Sequence, residues 1–341
     1  MYRKQTPMRE NHKIMKPFLR ALSVLLVLSA VGFGISAVHV LRRPEISVVT
    51  AVYNCEKYLD QNITSVLNQS FSDFEFIIVN DASTDRSQEI IDKYAKQDKR
   101  IRVYKNKKNS GAALTRNEGL KHVRGKYTLV MDSDDALEPQ ALEKSYKRAK
   151  EDHLDIFVFQ PKGFNESTQQ FEYAPAFDGI FFNDLGLKYF SYPQFIDNFF
   201  QVMLLTAWNK FIRTDFIKKN NLRFVPHKYY DDSYFTTMAL LKADRIGYTE
   251  EELYIYRINR KGSQSNSYSD NEKLSGKLQL AVDLRHEFKK MNMPNGAYYS
   301  LIKWMEARNH SKADSSIQEA VQDFIADTYK NYISLRADSA N

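Results

Sequence analysis

Short apolar runs, rich in β-branched and aromatic residues, alternate along the chain with longer segments of helical periodicity. This alternation predicts repeated β-α units, and therefore an α/β fold in which helices cover a largely parallel sheet. The strand candidates are 46–51, 74–80, 101–104 and 127–132. The apolar residues that share a helical face are Leu59, Ile63, Val66 and Leu67 in one helix, and Ile90, Ile91 and Tyr94 in the next.

The alternation weakens beyond about residue 150. One apolar run (154–159) is followed by an aromatic-rich stretch (171–200), for which packing in the core is favoured over a role on a binding surface. We therefore predict one domain over 46–260, in the two halves 46–150 and 151–260, followed by a helical C-terminal extension at 270–341.

The charge distribution bears on membranes and nucleic acids. Residues 1–45 hold eight of the 49 Lys and Arg but two of the 42 Asp and Glu, so that they carry +6 of the net charge of +7. The remaining body is close to neutral, which argues against a surface that follows nucleic-acid phosphates. The only cysteine, Cys55, excludes an internal disulfide.

An apolar segment follows the basic tail at 1–20. Residues 21–41 carry no formal charge if His39 is neutral, and about 20 such residues span a bilayer. The pattern predicts a single-pass N-terminal membrane anchor. A cleaved signal peptide is the alternative, but the run is longer than the usual apolar core of about 7–15 residues.

Acidic side chains follow the predicted strands at their carboxyl ends, where ligands of open α/β sheets gather. Asp132 and Asp134 are two residues apart, so in extended geometry both project to one side and can share Mg²⁺ or Mn²⁺. The alternative is that Asp134 or Asp135 caps the next helix. Asp81 suits a hydrogen bond from a nucleotide base or, alternatively, an ordinary turn.

Small residues around Gly111 permit close approach of a ligand to the backbone, and Arg116 lies one helical turn later, where it can face phosphates. A loop with a solvated arginine is the alternative. A Walker-type phosphate loop is excluded, because Gly119 and Gly125 have the wrong spacing and Tyr127 replaces the required Ser or Thr.

Four segments together resemble family 2 glycosyltransferases of the GT-A fold, and the resemblance covers about residues 46–260. The segments are ISVVTAVYNCEKYL, FEFIIVNDASTD, NSGAALTRNEGLKHVRGKY and LVMDSDDALEP. The resemblance implies a Rossmann-like, mostly parallel sheet flanked by helices. It also implies transfer of a sugar from a nucleotide-diphosphate sugar, expected to be a UDP-sugar, to an acceptor hydroxyl with inversion of configuration.

The resemblance also implies site residues. Contacts to the nucleotide sugar are expected from Thr50, Ala51, Tyr53, Glu56, Asp81, Ser83, Gly111, Arg116, Asn117, Asp132 and Ser133. Asp134 is the expected direct ligand of a divalent metal, with Asp132 nearer the ribose and metal. The expected acceptor or diphosphate side is formed by Trp208, Lys210, Asp231, Arg257 and Ser263. The catalytic base of the family falls on Asp232, for which a helix N-terminus is the simpler alternative.

The expected partners are the donor, a membrane, and a glycan, lipid-linked or other hydroxyl acceptor. The side of the membrane stays open: a bacterial inner membrane with a cytoplasmic catalytic domain and a Golgi-like type II arrangement are the two alternatives. Two other functions also remain open, namely a nucleotidyltransferase that releases pyrophosphate, and an inactive anchored protein that binds a sugar nucleotide or polysaccharide.

Overall fold

The computed structural model describes residues 43–227, 229–260, 268–307 and 313–338, and within these residues nine strands form one sheet. The strands are β1 (Ile46–Val52), β2 (Phe74–Asn80), β3 (Ile101–Lys105), β4 (Tyr127–Asp132), β5 (Ala136–Leu137), β6 (Ile156–Asn165), β7 (Gln170–Tyr173), β8 (Lys210–Arg213) and β9 (Ile246–Ile258). The four strands predicted from the sequence are β1 to β4, and their bounds differ from the prediction by at most one residue.

Helices connect these strands and continue beyond them. The first four are α1 (Glu56–Leu67), α2 (Ser87–Gln97), α3 (Ala112–Lys121) and α4 (Ala141–Glu151). The next four are α5 (Gly179–Asp184), α6 (Phe199–Val202), α7 (Thr214–Lys219) and α8 (Ser233–Lys242). Three long helices complete the described chain, namely α9 (Asp270–Lys290), α10 (Asn295–Glu306) and α11 (Ser315–Asp338).

The sheet is mixed, which corrects the prediction of a mostly parallel sheet. Its strand order is β3-β2-β1-β4-β8-β6-β9-β5, and β7 pairs with β6 outside this path. The pairs among β1 to β4 are parallel, as predicted. However, β8 runs antiparallel to both β4 and β6, and β5 runs antiparallel to β9. Parallel neighbours need a long crossover connection. The regular β-α pattern that signals such crossovers ends with β4, although β6 and β9 form a further parallel pair.

Alternating residues of the strands supply two cores, one on each face of the sheet. In β1, Val48 faces the core that contains Leu59 and Ile63 of α1, whereas Val49 faces the other core. The predicted apolar faces of the first two helices are borne out in their central residues, because Leu59, Ile63 and Ile91 are completely buried.

The aromatic-rich stretch mainly forms core, as favoured from the sequence. Phe182, Phe195 and Phe199 are almost fully buried, and they pack in the same cluster as apolar residues of α9 and α10. Phe171 is an exception, with 52% of its surface exposed on the β6–β7 hairpin. The C-terminal helices therefore pack against the same apolar cluster as the aromatic-rich stretch.

The membrane location predicted from the sequence is wrong for the part of the chain that the structure describes. None of the helices there is both long enough and apolar enough to cross a bilayer. The helices α9 and α11 have sufficient length but carry charged residues in several turns, and charged side chains are costly in hydrocarbon. The predicted tail (1–20), anchor (21–41) and Ser263 lie outside the described residues.

Helix α3 lies so close to the sheet that Gly119 has no room for a side chain. A Cβ atom at this position would collide with Cγ1 of Val49 in β1 and would lie 3.4 Å from Cγ2 of Val79 in β2. We expect Gly119→Ala to lower the free energy of unfolding by about 1–3 kcal/mol, the usual effect of overpacking a core. Urea unfolding followed by circular dichroism measures this change.

The matched control is Leu114→Ala on the same helix, where 45% of the leucine is exposed. This substitution should change the free energy of unfolding by about 0.5 kcal/mol or less. Equal unfolding midpoints for Gly119→Ala and the unmodified chain would contradict the close approach of α3 to β1.

Candidate active site

A cleft of about 940 Å³ opens at the carboxyl ends of β1, β2 and β4. One side is formed by the segments that follow these strands, and the other by the segment before α8 together with residues of α9 and α10. This is the position at which open α/β sheets bind ligands. The cleft brings together Asp81, Asp134 and Asp232, which are widely separated in the sequence.

The carboxylate of Asp81 organises one wall of the cleft. It accepts hydrogen bonds from Nδ2 of Asn106 (2.7 Å) and from the backbone N–H groups of Ser110 (2.9 Å) and Gly111 (2.8 Å). Gly111 has a φ of +83°, and a Cβ there would have no neighbour within 4 Å. These hydrogen bonds to Asp81 therefore fix the segment 106–111. The space beside Gly111 stays open.

Arg116 joins the two sides of the cleft. Its guanidinium donates to Oδ1 of Asp132 and to Oδ2 of Asp231, each at 2.7 Å. Burial acts to lower the pKa of Arg116, but the carboxylates of Asp231 and Asp132 raise it by more. The guanidinium therefore stays charged while it links the end of β4 to the segment that begins α8.

Asp134 forms an ion pair with Arg260, which follows the end of β9. Burial, together with the neighbouring carboxylate of Asp132, raises the pKa of Asp134, whereas Arg260 acts to lower it. Arg260 lines the cleft but was not predicted from the sequence. The available signal in the sequence was its position three residues after Arg257. Such spacing does not distinguish an arginine that lines a cleft from a solvated one.

Arg257 stabilises the turn after β4. Its backbone N–H donates to Oδ1 of Asp135 at 2.8 Å, and its Nε donates to the carbonyl oxygen of Asp134 at 2.9 Å. Its two terminal nitrogens donate to Glu166 and Gln61, both at 2.5 Å. Arg257 lines the cleft, as predicted for the diphosphate side, but its donors are largely engaged with the protein.

Asp132 and Asp134 are the candidate metal ligands. Both line the cleft, and each has one carboxylate oxygen paired with an arginine. Among the described residues, no group of three or more His, Cys, Asp or Glu side chains is placed to hold an ion. Mg²⁺ is commonly held by one or two carboxylates together with substrate phosphates and waters. The two aspartates therefore suit a cation whose other ligands come from a bound diphosphate.

Asp232 lies immediately before the first residue of α8, where the sequence left a helix cap as the simpler alternative. Its side chain makes no capping hydrogen bond and instead accepts one from the N–H of Ala207 at 3.2 Å. Burial, reinforced by the carboxylate of Asp231, raises the pKa of Asp232 to about 7. A carboxylate with this pKa is suited to accept a proton near neutral pH.

The acid pair follows a strained residue. Tyr230 has a φ of +67°, a conformation that bulky side chains rarely adopt. Strain of this kind costs on the order of 1–3 kcal/mol and persists only where surrounding contacts impose it. One such contact is the hydrogen bond from the N–H of Ser233 to the Tyr230 carbonyl at 3.2 Å. Contacts around the turn therefore help to impose the conformation that precedes Asp231 and Asp232.

Lys210 lies beneath the loop before β8 and does not line the cleft. Its Nζ donates to the carbonyl oxygens of Leu204 (3.0 Å) and Thr206 (2.7 Å) and to Oδ1 of Asn209 (2.6 Å). Burial lowers the pKa of Lys210 to about 7. The lysine therefore holds the loop whose Ala207 N–H contacts Asp232, a structural position that differs from the predicted contact to the acceptor or diphosphate.

The structure separates the predicted site residues into two groups. Those that line the cleft are Ala51, Tyr53, Asp81, Gly111, Arg116, Asp132, Ser133, Asp134, Trp208, Asp231, Asp232 and Arg257. Thr50 and Lys210 are buried away from it. Asn117 instead pairs with the backbone of Phe224, Glu56 accepts from the N–H of Arg86, and Ser83 accepts from the N–H of Asn54.

Although Phe200 lies in the aromatic-rich stretch and Tyr229 and Tyr230 lie in a segment, 224–235, that resembles the acceptor side of the family, sequence reasoning did not single out the residues that line the far end of the cleft. They are Phe200, Gln201, Met203, Leu204, Tyr229, Tyr230, Lys277 and Trp304. They come from α6, the loop after it, the segment before α8, and helices α9 and α10. No local motif marks them, because tertiary packing brings these segments together.

Comparisons with known proteins agree with this geometry. The model of the family described as Glycosyl transferase family 2 matches residues 47–220. The glycosyltransferase GlyA of Streptococcus pneumoniae serotype 4 is 32% identical over 232 residues, which cover 66% of this chain and 32% of GlyA. The chain therefore spans about a third of the length of that relative.

Two solved structures have a similar fold. S. aureus TarS 1–349, in complex with UDP-GlcNAc, has a TM-score of 0.60 at 21% identity, over 86% of this chain and 92% of TarS 1–349. The mannosyltransferase PcManGT of Pyrobaculum calidifontis, in complex with GDP-Man and Mn²⁺, has a TM-score of 0.54 at 13% identity, over 88% and 80% of the two chains. At these identities the likeness concerns the fold alone.

The raised pKa of Asp232 predicts how stability depends on pH. The folded chain holds this proton up to about pH 7, whereas an unfolded aspartate releases it near pH 4. Ionising the buried carboxylate opposes folding. Asp232 therefore lowers the free energy of unfolding as the pH rises between these values. We expect Asp232→Asn to unfold at higher urea concentration than the native chain at pH 8 and to lack this pH-dependent component.

The measurement is a urea unfolding series between pH 5 and pH 8 for the native chain and for Asp232→Asn. The difference between their free energies of unfolding gives the contribution of Asp232. Asp184→Asn is the matched control, because Asp184 is exposed and lies outside the cleft. A constant difference in stability between native chain and Asp232→Asn across this range would contradict the raised pKa.

Proposed function

This chain belongs to glycosyl transferase family 2, and we propose that it transfers a sugar from a nucleotide-diphosphate sugar to an acceptor hydroxyl with inversion at the anomeric carbon. The observation that carries the proposal is the convergence of Asp81, Asp134 and Asp232 on one cleft. These three acids supply, from separate parts of the chain, the groups that donor binding and proton removal require.

The proposed donor is a UDP-sugar. Tyr53 is 47% exposed and lines the cleft together with Asp81, so that a ring face is available to a base at this end. The open backbone at Gly111 leaves space for the nucleotide. The binding of UDP-GlcNAc by TarS, a protein of similar fold, supports the choice of uridine.

We propose Asp134 as the direct ligand of Mg²⁺ or Mn²⁺, with Asp132 nearer the ribose and metal. A bound cation would neutralise charge on the departing diphosphate. Arg260 holds Asp134 through an ion pair in the chain described here, so metal and arginine would compete for or share this carboxylate. The Mn²⁺ in the PcManGT complex supports a cation in this fold.

Asp232 is the proposed base. The acceptor oxygen attacks the anomeric carbon from the face opposite the diphosphate, the bond from that carbon to the diphosphate oxygen breaks, and its electron pair leaves with the diphosphate. The carboxylate of Asp232 takes the hydroxyl proton. The buried contact between Arg116 and Asp231 would keep the neighbouring Asp232 in place during this step. A glycan or another molecule with a free hydroxyl is the proposed acceptor.

We predict that Asp134→Ala abolishes the metal-dependent part of donor binding. Calorimetric titration with UDP-GlcNAc and other UDP-sugars, with and without Mn²⁺, measures this effect. The native chain should bind more tightly with Mn²⁺, and the variant should lose at least about tenfold in affinity under those conditions. Asp184→Ala removes an exposed carboxylate outside the cleft and should bind as the native chain does.

Unchanged Mn²⁺-dependent affinity in Asp134→Ala would refute the metal assignment. Native chain that binds no nucleotide sugar under any of these conditions would refute the donor assignment. Analysis of the released nucleotide also separates the reaction types, because sugar transfer releases UDP, whereas a nucleotidyltransferase releases pyrophosphate.

We predict that Asp232→Asn keeps donor binding and loses transfer. The amide has nearly the same shape but accepts no proton, so kcat should fall by about 10²–10⁴ while donor affinity changes little. The kcat of the native chain should rise with pH and level off above about 7, the pKa of this group. Steady-state transfer assays from pH 5 to pH 9 measure both effects.

Asp232→Glu serves as the comparison, because it retains a titrating carboxylate and should keep a rising limb with reduced kcat. Normal turnover in Asp232→Asn, or an unchanged pH profile in that variant, would eliminate Asp232 as the base.

A further inference from the structure

We propose that the far end of the cleft, to which helices α9 and α10 contribute, is a subsite for an uncharged pyranose ring of the acceptor. This inference rests on the proposed function and adds to it the chemical class of the acceptor. The residues that carry it are Phe200, Leu204, Tyr230 and Trp304, called here the acceptor-end residues, all of which line the cleft.

The acceptor-end residues lie next to the candidate base. Tyr230 directly precedes Asp231, and its ring meets the ring of Trp304 edge to face, with 5.7 Å between the ring centres. The ring of Trp304 in turn stacks on that of Phe200 at 5.4 Å. A continuous aromatic wall therefore runs from the segment that carries Asp232 to helix α10.

Phe200 belongs to the aromatic core, since it is 7% exposed and packs on Phe199, but the rest of the wall differs from that core. Phe195 and Phe199 are 2% and 1% exposed and pack against each other within the core. By contrast, Leu204 is 50% exposed and Trp304 is partly exposed, and both border the cleft. Apolar surface that remains open beside a candidate active site is typical of a ligand-binding wall.

Two close contacts fix the C-terminal helices to the cleft. Gly276 of α9 lies so near Tyr229 that a Cβ atom would be 3.0 Å from the tyrosine Cβ. Gln201 both accepts from the hydroxyl of Ser300 in α10 (2.9 Å) and donates to its carbonyl oxygen (3.2 Å). Helices that approach the cleft this closely form part of its wall.

The chemistry of this end suits a sugar ring. Aromatic faces receive the C–H face of a pyranose, while a few polar groups orient its hydroxyls. Lys277 lies behind the open surface: it is 1% exposed, and its Nζ lies 4.9 Å from the Trp304 ring centre and donates to the carbonyl oxygen of Met305 at 3.2 Å. The polar groups placed to orient hydroxyls are the partly exposed carboxylates of Asp231 and Asp232. Among the described residues that line the cleft, those with charged side chains at or next to its far end are Arg116, Asp231, Asp232 and Lys277. The two cations are buried, whereas the two acids are partly exposed and the rest of the open surface is apolar, which favours an uncharged ring over an acidic one.

Saturation-transfer NMR tests this subsite. The probes are methyl β-glycosides of glucose, galactose and N-acetylglucosamine, and β-linked disaccharides of these sugars, at tens of millimolar, in the presence of UDP. We expect saturable binding of at least one probe to the full chain. Trp304→Leu should weaken it roughly three- to tenfold, the usual worth of one aromatic contact.

Leu204→Trp provides a second variant that leaves the core intact, because Leu204 is half exposed. The larger ring should fill the subsite and abolish sugar binding. Tyr299→Leu is the matched control, since Tyr299 is an aromatic residue of the same helix, α10, that does not line the cleft. This control should bind the probes as the native chain does.

Three outcomes would overturn the subsite: no saturable binding of any probe, native affinity in both Trp304→Leu and Leu204→Trp, or at least tenfold tighter binding of sugar phosphates than of the neutral probes. Donor titration on the same samples separates the two proposals. A chain that binds UDP-sugar but none of the probes refutes the subsite alone, whereas a chain that binds neither donor nor metal refutes the proposed function.

Discussion

The buried guanidinium of Arg116 is the interaction on which the candidate site depends. It holds Asp132, at the end of β4, and Asp231, at the start of α8, in one ion-pair network. Removing one partner of a buried ion pair typically costs about 3–5 kcal/mol, because the remaining charge is left uncompensated. The two sides of the cleft are therefore coupled, and a change at the candidate metal ligands would affect the surroundings of the candidate base.

The two adjacent acids at the start of α8 have different surroundings. Asp231 is paired with Arg116 directly. Among the described residues, Asp232 instead accepts a hydrogen bond from the N–H of Ala207 at 3.2 Å and a longer one from the hydroxyl of Ser233. Burial and the negative charge of Asp231 therefore raise the pKa of Asp232 to about 7. Burial is thus the main reason why Asp232 is a candidate proton acceptor, because the nearby Arg116 acts to lower its pKa.

Sequence patterns predicted the first half of the molecule better than the second. The short apolar run that predicts β1 and the apolar faces of α1 and α2 are local signals, and the structure follows them. The antiparallel strand β8 depends on where the chain returns, which no local periodicity encodes. For the same reason Lys210, predicted as a ligand contact, proves to bind three oxygen atoms of its own loop. Residue type alone does not separate these two roles.

The C-terminal helices are a second part of the molecule whose position the sequence patterns did not predict. Their polar composition suggested an extension, yet Lys277 of α9 and Trp304 of α10 reach the cleft. Tyr230 connects them to the acid pair through its ring, and it does so from a backbone conformation that a bulky residue rarely adopts. A strained residue persists where its neighbours impose the conformation. The contacts of Tyr230 with Trp304 therefore help to fix the turn that carries Asp231 and Asp232, so that the proposed acceptor wall and the candidate base are parts of one packed unit.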